Sequence, residues 1–173
     1  MPARMTLDAL DLALLRTLSL DARIGPLQLS RQTGVARATV TARLQRLEDA
    51  GVIAGYQPDI DVAAAGFGVQ AFVTLEIAQG AIEAVQHDLE SIPGVLEAYS
   101  TTGSGDVLCW IAASSHEALQ DTLVRLNRLS DVARSTSVVA LSRLVRRRAL
   151  PLLESAAAAD AGRSGMRRPE PPG

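Results

Sequence analysis

The chain has 173 residues, 47% apolar and 21% charged, a composition of one large or two small globular domains that excludes a wholly disordered chain. Its single cysteine, Cys109, excludes a disulfide scaffold and fits a reducing, cytoplasmic compartment. No apolar run reaches the length of a membrane span, and Asp8 and Asp11 interrupt the N-terminal apolar stretch where a signal peptide carries no acids.

The formal net charge of −2 argues at first sight against a nucleic-acid partner, but the charge is unevenly placed. Residues 1–58 hold seven Arg against five acids, a net of +2. Residues 59–142 hold three Arg against eleven acids, a net of −8, and residues 143–173 hold seven Arg against three acids, a net of +4. An acidic body is repelled by a phosphate backbone, whereas a basic head is attracted to it. All 17 basic residues are Arg, in the tail as well as the head. Together with 28 alanines this reads as compositional bias, not as evidence of base readout.

The first predicted helix lies in residues 6–20, where Leu7, Leu10, Leu14, Leu15 and Leu18 recur at helical spacing and Thr6 is the expected N-cap. Pro26 opens a second helix, with Leu27 and Leu29 as its apolar positions and Gly34 as its stop. A third runs from about Arg37 to Ala50, with Val40, Leu44 and Leu47 inward at i, i+4 and i+7. Three short helices with the tight turn Thr33–Ala36 make a trihelical helix-turn-helix core.

Beyond it, strand and helix patterns alternate. Residues 66–77, 95–102, 106–113 and 132 to about 147 read as strands, and residues 81–92 and 116–129 as helices. Residues 102–105 form a hairpin turn. The order βαββαβ is the ferredoxin-like plan, an antiparallel sheet with helices on one face and an open face to be covered by a second copy. The predicted division is a helix-turn-helix domain over 1–58, an extended linker over 59–66, a ferredoxin-like domain over 67–154 and a disordered tail over 155–173.

The third helix is the first candidate for chemistry. With its stripe inward, Ala38, Thr41, Ala42 and Gln45 face outward, flanked by Arg37, Arg43 and Arg46. Arg can bridge guanine edges or phosphates, Gln can read adenine, and the methyl of Ala or Thr can meet a thymine methyl. Arg43 lies nearer the buried stripe than Ala42, which suits a phosphate or structural role. Ala36 stands where a Ser or Thr cap would start this helix. The turn Thr102–Asp106 is the second candidate, with two glycines that let a ligand approach backbone amides and Asp106 to accept from an ammonium; the bland alternative is a Gly-rich turn bonded to itself. His87, His116 and Cys109 lack metal-ligand spacing, so no metal or cofactor is expected. Trp110 reads as core or interface packing, and Arg146–Arg148 as a second phosphate contact or, more economically, an edge-strand guard.

Residues 7–61 resemble the Lrp/AsnC family of transcription regulators. The matching residues include Leu7, Asp11, Asp21–Ile24, Leu29–Val35, Thr39-Val40, Arg43-Leu44, Arg46–Glu48 and Gly51–Tyr56. Gly66, Thr102-Gly103, Asp106 and the segment 132–152 extend the likeness into the body. The resemblance implies an α+β protein: a winged-type trihelical helix-turn-helix domain joined to a ferredoxin-like RAM domain. It implies a non-enzymatic, DNA-binding regulator, with Arg37, Ala38, Thr39, Thr41, Ala42, Arg43, Gln45 and Arg46 at the DNA. It also implies dimers joined through the sheets, often assembled into octamers. An amino-acid effector would sit between dimers near Gly103, Ser104, Gly105, Asp106, Thr136 and Ser137. The sequence departs from the family pattern at Ala36, usually Ser, and at Gly105, commonly a large residue. Two other readings share the architecture: a sirohaem-decarboxylase-like enzyme, and a regulator whose second domain assembles without binding a ligand.

Overall fold

A computed structural model describes residues 5–165. The chain divides into two compact units, one formed by residues up to Pro58 together with those from Arg146 onward, the other by Asp59–Val145.

In the first unit, α1 (Ala9–Leu20), α2 (Pro26–Thr33) and α3 (Arg37–Asp49) enclose Leu14, Leu18, Ile24, Leu29, Val40 and Leu44. The N-cap of α1 is Asp8, not Thr6. The Asp8 carboxylate accepts from the Asp11 backbone N–H at 2.9 Å and the Asp11 carboxylate accepts from the Asp8 N–H at 3.0 Å. This reciprocal capping box satisfies two orphan donors at once, which a lone threonine cannot do. Gly34 ends α2 at φ +72°, a conformation that side-chain-bearing residues rarely adopt. The turn is pinned further by Ser30 Oγ donating to the Val35 carbonyl at 2.6 Å. Ala36 starts α3 with no side-chain cap, as its identity requires. Leu27, expected inward, is half-exposed.

The second unit runs β1 (Val69–Ile77), α4 (Ile82–Glu90), β2 (Val95–Ser100), β3 (Val107–Ala113), α5 (His116–Asn127) and β4 (Val132–Ala140). The sheet order is β2-β3-β1-β4, with every neighbouring pair antiparallel, so the βαββαβ plan is as expected. Alternation decides the faces: Ala71, Val73, Leu75, Val107, Cys109 and Ile111 point to the helices and are buried, joined by Val85, Leu89, Leu119 and Leu126. Burial pushes the Cys109 thiol up to about 11, so it stays protonated at neutral pH.

Three boundaries differ from expectation. Residues 62–66 form a turn rather than extended linker, because the Asp61 carboxylate accepts from the N–H groups of Ala63 and Ala64 at 3.0 and 3.1 Å. The last strand ends at Ala140, opposite Gln70, because β1 begins at Val69 and offers nothing further to pair with. Arg146–Arg148 therefore lie outside the sheet and guard no strand edge. The expected disordered tail, 155–173, is helical as far as Gly165: α6 (Leu150–Gly165) begins within the expected ferredoxin-like domain, 67–154, and packs against α1 of the first unit, with Arg16 Nε donating to Glu154 at 3.0 Å. Its alanines have the highest helix propensity and lose no side-chain entropy, so the segment needs no apolar stripe to be helical. The remainder of that expected tail, 166–173, lies outside the described residues.

Candidate DNA-binding face and effector turn

The outward face of α3 follows from its stripe. Val40, Leu44 and Leu47 are buried, and Arg37, Ala38, Thr39, Thr41, Ala42, Gln45 and Arg46 are exposed. Arg37 sits in the first turn with no acidic partner among the described residues, where a helix N-terminus already favours an anion such as phosphate. Two of the polar side chains have local partners: Thr41 Oγ1 donates to the Arg37 carbonyl at 3.1 Å and Gln45 Nε2 to Asp49 at 2.8 Å. Both are exposed, so a duplex competes with these bonds as water does. Beside them, Tyr56 donates to Glu48 at 2.8 Å and ties the chain after α3 back onto the helix. Burial and that carboxylate push the Tyr56 hydroxyl up to about 12.

Arg43 and Arg46 are placed differently from the other six. Arg43 is half-buried and its Nη1 donates to Asp8 and, at 3.2 Å, to Asp11. Arg46 Nη2 donates to the other oxygen of Asp11, which is fully buried. The structural role considered for Arg43 is the one this geometry supports, and Arg46 shares it. The sequence carries the signal in paired spacing: acids at 8 and 11, arginines at 43 and 46, each pair one helical turn apart.

At the second candidate, Gly103, Ser104 and Asp106 are exposed and Gly105 is buried. The Asp106 Oδ2 accepts from the Ile77 backbone N–H at 2.8 Å, and the Asp106 N–H donates to the Leu75 carbonyl at 2.9 Å. The carboxylate thus fastens the turn to the end of β1 rather than to its own loop. A Cβ at Gly105 would collide with Thr74 Cγ2, so the space of the family's larger side chain is taken here by Thr74. Thr136 is the register partner of Thr74 and shares its face, which is that of the turn's Gly105 contact. Ser137 pairs with Val73 and points to the opposite face. Within one chain, then, Thr136 groups with the turn through Thr74, and Ser137 does not. His87 and His116 are exposed on α4 and α5, and no group of His, Cys, Asp or Glu among the described residues is arranged to hold a metal.

The family model described as winged helix-turn-helix DNA-binding matches residues 7–54, and that described as Lrp/AsnC ligand binding domain matches residues 70–150. The chain belongs to the Lrp/AsnC family of transcriptional regulators. It is 37% identical to the HTH-type transcriptional regulator AldR of Mycolicibacterium smegmatis, over 73% of this chain and 77% of that protein. It is 31% identical to the regulatory protein AsnC of Escherichia coli, over 77% and 88%. Among solved structures, E. coli AsnC matches with a TM-score of 0.79 at 26% identity, covering 85% of this chain and all of that one. A Neisseria meningitidis regulator in complex with L-Met matches with a TM-score of 0.77 at 26% identity, covering 85% and 97%. These Lrp/AsnC relatives are regulators, not enzymes, and nothing favours the sirohaem-decarboxylase reading. No helix among the described residues is long and apolar enough to cross a membrane.

Proposed function

We propose that this Lrp/AsnC regulator is a cytoplasmic homo-oligomer that reads a palindromic operator with the exposed face of α3 and responds to an amino acid held by its second unit. The observation that carries the DNA reading is the exposed set Arg37, Ala38, Thr39, Thr41, Ala42 and Gln45 on a helix whose opposite face is buried. Arg37 supplies phosphate or guanine contact, and Thr41, Ala42 and Gln45 supply the base-edge contacts. Two such helices in a dimer meet half-sites about one turn of duplex apart.

The open face of the sheet supports assembly. Phe72, Tyr99 and Val138 are exposed there beside half-buried Leu108 and Trp110, and Trp110 Nε1 donates to Gln70 at 3.3 Å while the Arg143 guanidinium stacks 4.9 Å from its ring centre. Two copies joined through this face bury those rings, and the dimer can assemble further. The effector's ammonium is assigned to Asp106, whose Oδ2 is engaged by Ile77 and whose other oxygen faces the ligand, with Gly103 and Ser104 offering backbone amides to its carboxylate. Thr136 joins the turn of its own chain through Thr74, whereas Ser137, on the opposite face, joins a site only where copies meet.

A gel shift on the duplex upstream of the protein's own gene tests the DNA reading: a retarded band that weakens with salt is expected, and none at low salt overturns it. A thermal-shift panel of amino acids tests the effector: one hit is expected, stabilising by about 2.7 kcal/mol at a hundredfold excess over Kd. Asp106→Asn keeps an acceptor for Ile77 and removes the charge, so the hit should vanish from a folded protein. A flat panel with the native chain favours a body that only assembles.

A further inference from the structure

Asp11 is the one buried charged residue among the described residues, and both of its oxygens are used. Oδ1 accepts from Arg43 at 3.2 Å; Oδ2 accepts from Arg46 and from the Asp8 backbone N–H at 3.0 Å. Asp8 accepts from Arg43 as well. Carboxylates at the N-cap and in the first turn of α1 therefore grip two guanidiniums on successive turns of α3, and the four charges cancel. An apolar residue at position 11 would fill the space without the cost of desolvating a charge, and buried ion pairs are weak contributors to stability. What the carboxylate adds is direction: it fixes α3 in rotation and translation against α1.

The cluster also sets the charge that reaches DNA. Of the head's arginines, Arg43 and Arg46 are neutralised in it and Arg16 is paired with Glu154. Arg23, Arg31 and Arg37 carry no ion pair to an acid among the described residues. Fewer free cations mean weaker sequence-independent attraction, which depends on the number of phosphates neutralised.

We propose that Asp11 is a specificity-determining positioning residue: it holds α3 at the angle that presents Arg37, Thr41 and Gln45, and it withholds Arg43 and Arg46 from the phosphates. The proposal rests on the docking of α3 in the major groove. The test uses the full-length chain, an operator that it selects from random duplexes, and a scrambled duplex of equal length. Fluorescence anisotropy at several salt concentrations between about 50 and 200 mM gives affinity and salt slope, with a slope of about 0.9 per phosphate neutralised. Arg46→Met is expected to leave the slope unchanged, because the native guanidinium is engaged by Asp11. Asp11→Asn keeps one acceptor oxygen and releases one guanidinium, so the slope should steepen by about one, and the operator-over-scrambled ratio should fall. A slope flattened by about one in Arg46→Met would place Arg46 on a phosphate and overturn the proposal. So would an unchanged slope and ratio in a folded Asp11→Asn protein. If Asp11→Asn does not fold by circular dichroism, the Arg46→Met slope decides alone. A native chain that selects no operator defeats the docking reading instead, so the two failures are distinguishable.

Discussion

Among the described residues of the first unit seven buried apolar side chains, six of them in one cluster between the helices, accompany one buried carboxylate, Asp11; in the second, a cluster of twelve buried side chains fills the space between sheet and helices and none is charged. The body holds its shape by apolar packing, which is non-directional and scales with area. The head has less area to bury and positions its reading helix with hydrogen bonds and ion pairs, which have direction but little net energy. The lesson is a division of labour: the unit built on the sheet is held by bulk apolar packing, and the unit that presents α3 is built for orientation.

Large-to-small changes should break the body hardest. Leu75 at the middle of β1 is fully buried, so Leu75→Ala is expected to cost the second unit about 2–5 kcal/mol, read by denaturant unfolding of the full chain. A loss below ~1 kcal/mol would contradict the packing account. Gly105→Val should cost about 1–3 kcal/mol through the clash with Thr74, and Thr74→Ala in the same chain should recover a large part of it. Absence of recovery would mean that the turn is disturbed for another reason.

The head should also respond to pH. The Asp11 backbone N–H, and then the Arg43 guanidinium, hold the Asp8 carboxyl below its ordinary value. A carboxyl with a depressed folded pKa contributes stability above its unfolded pKa of about 3.9 and loses it as pH falls through the folded value. Thermal melts between neutral pH and about pH 3 should therefore show the head weakening in the acid range, and Asp8→Asn should flatten that part of the profile. An identical profile in the variant would remove Asp8 from the account. The smallest effect is a gain: Ala36→Ser gives α3 the cap it lacks, worth about 1 kcal/mol, visible as a raised melting temperature of the head.

The architecture was legible in the sequence because periodicity reports burial. The stripe Val40, Leu44 and Leu47 and the alternation from Val69 to Ile77 both mark the faces they occupy. Ends were less legible. The cap moved from Thr6 to Asp8 because a reciprocal acid pair outcompetes a single hydroxyl. The last strand stopped at Ala140 because its partner strand, not its own residues, sets its length. The alanine-rich segment after Leu150 lacks a stripe of large apolar residues, and its helix rests on alanine propensity together with packing against α1. At the candidate DNA face, exposure followed from the helix pattern, but the diversion of Arg43 and Arg46 to Asp8 and Asp11 is a contact between segments more than thirty residues apart, for which the matched spacing of the two pairs is the one signal in the sequence. At the effector turn, the anchoring of Asp106 to Ile77 and the occupation of Gly105's space by Thr74 are likewise tertiary facts.

The central claim, that the exposed face of α3 meets DNA, is tested most directly by Arg37→Ala in the full-length chain on its selected operator and on a scrambled duplex across salt. The account predicts weaker operator binding in one of two forms: a loss of about 1–3 kcal/mol confined to the operator if Arg37 reads a base, or a uniform loss with the salt slope reduced by about one if it holds a phosphate. Operator affinity, ratio and slope all equal to the native chain's would contradict it.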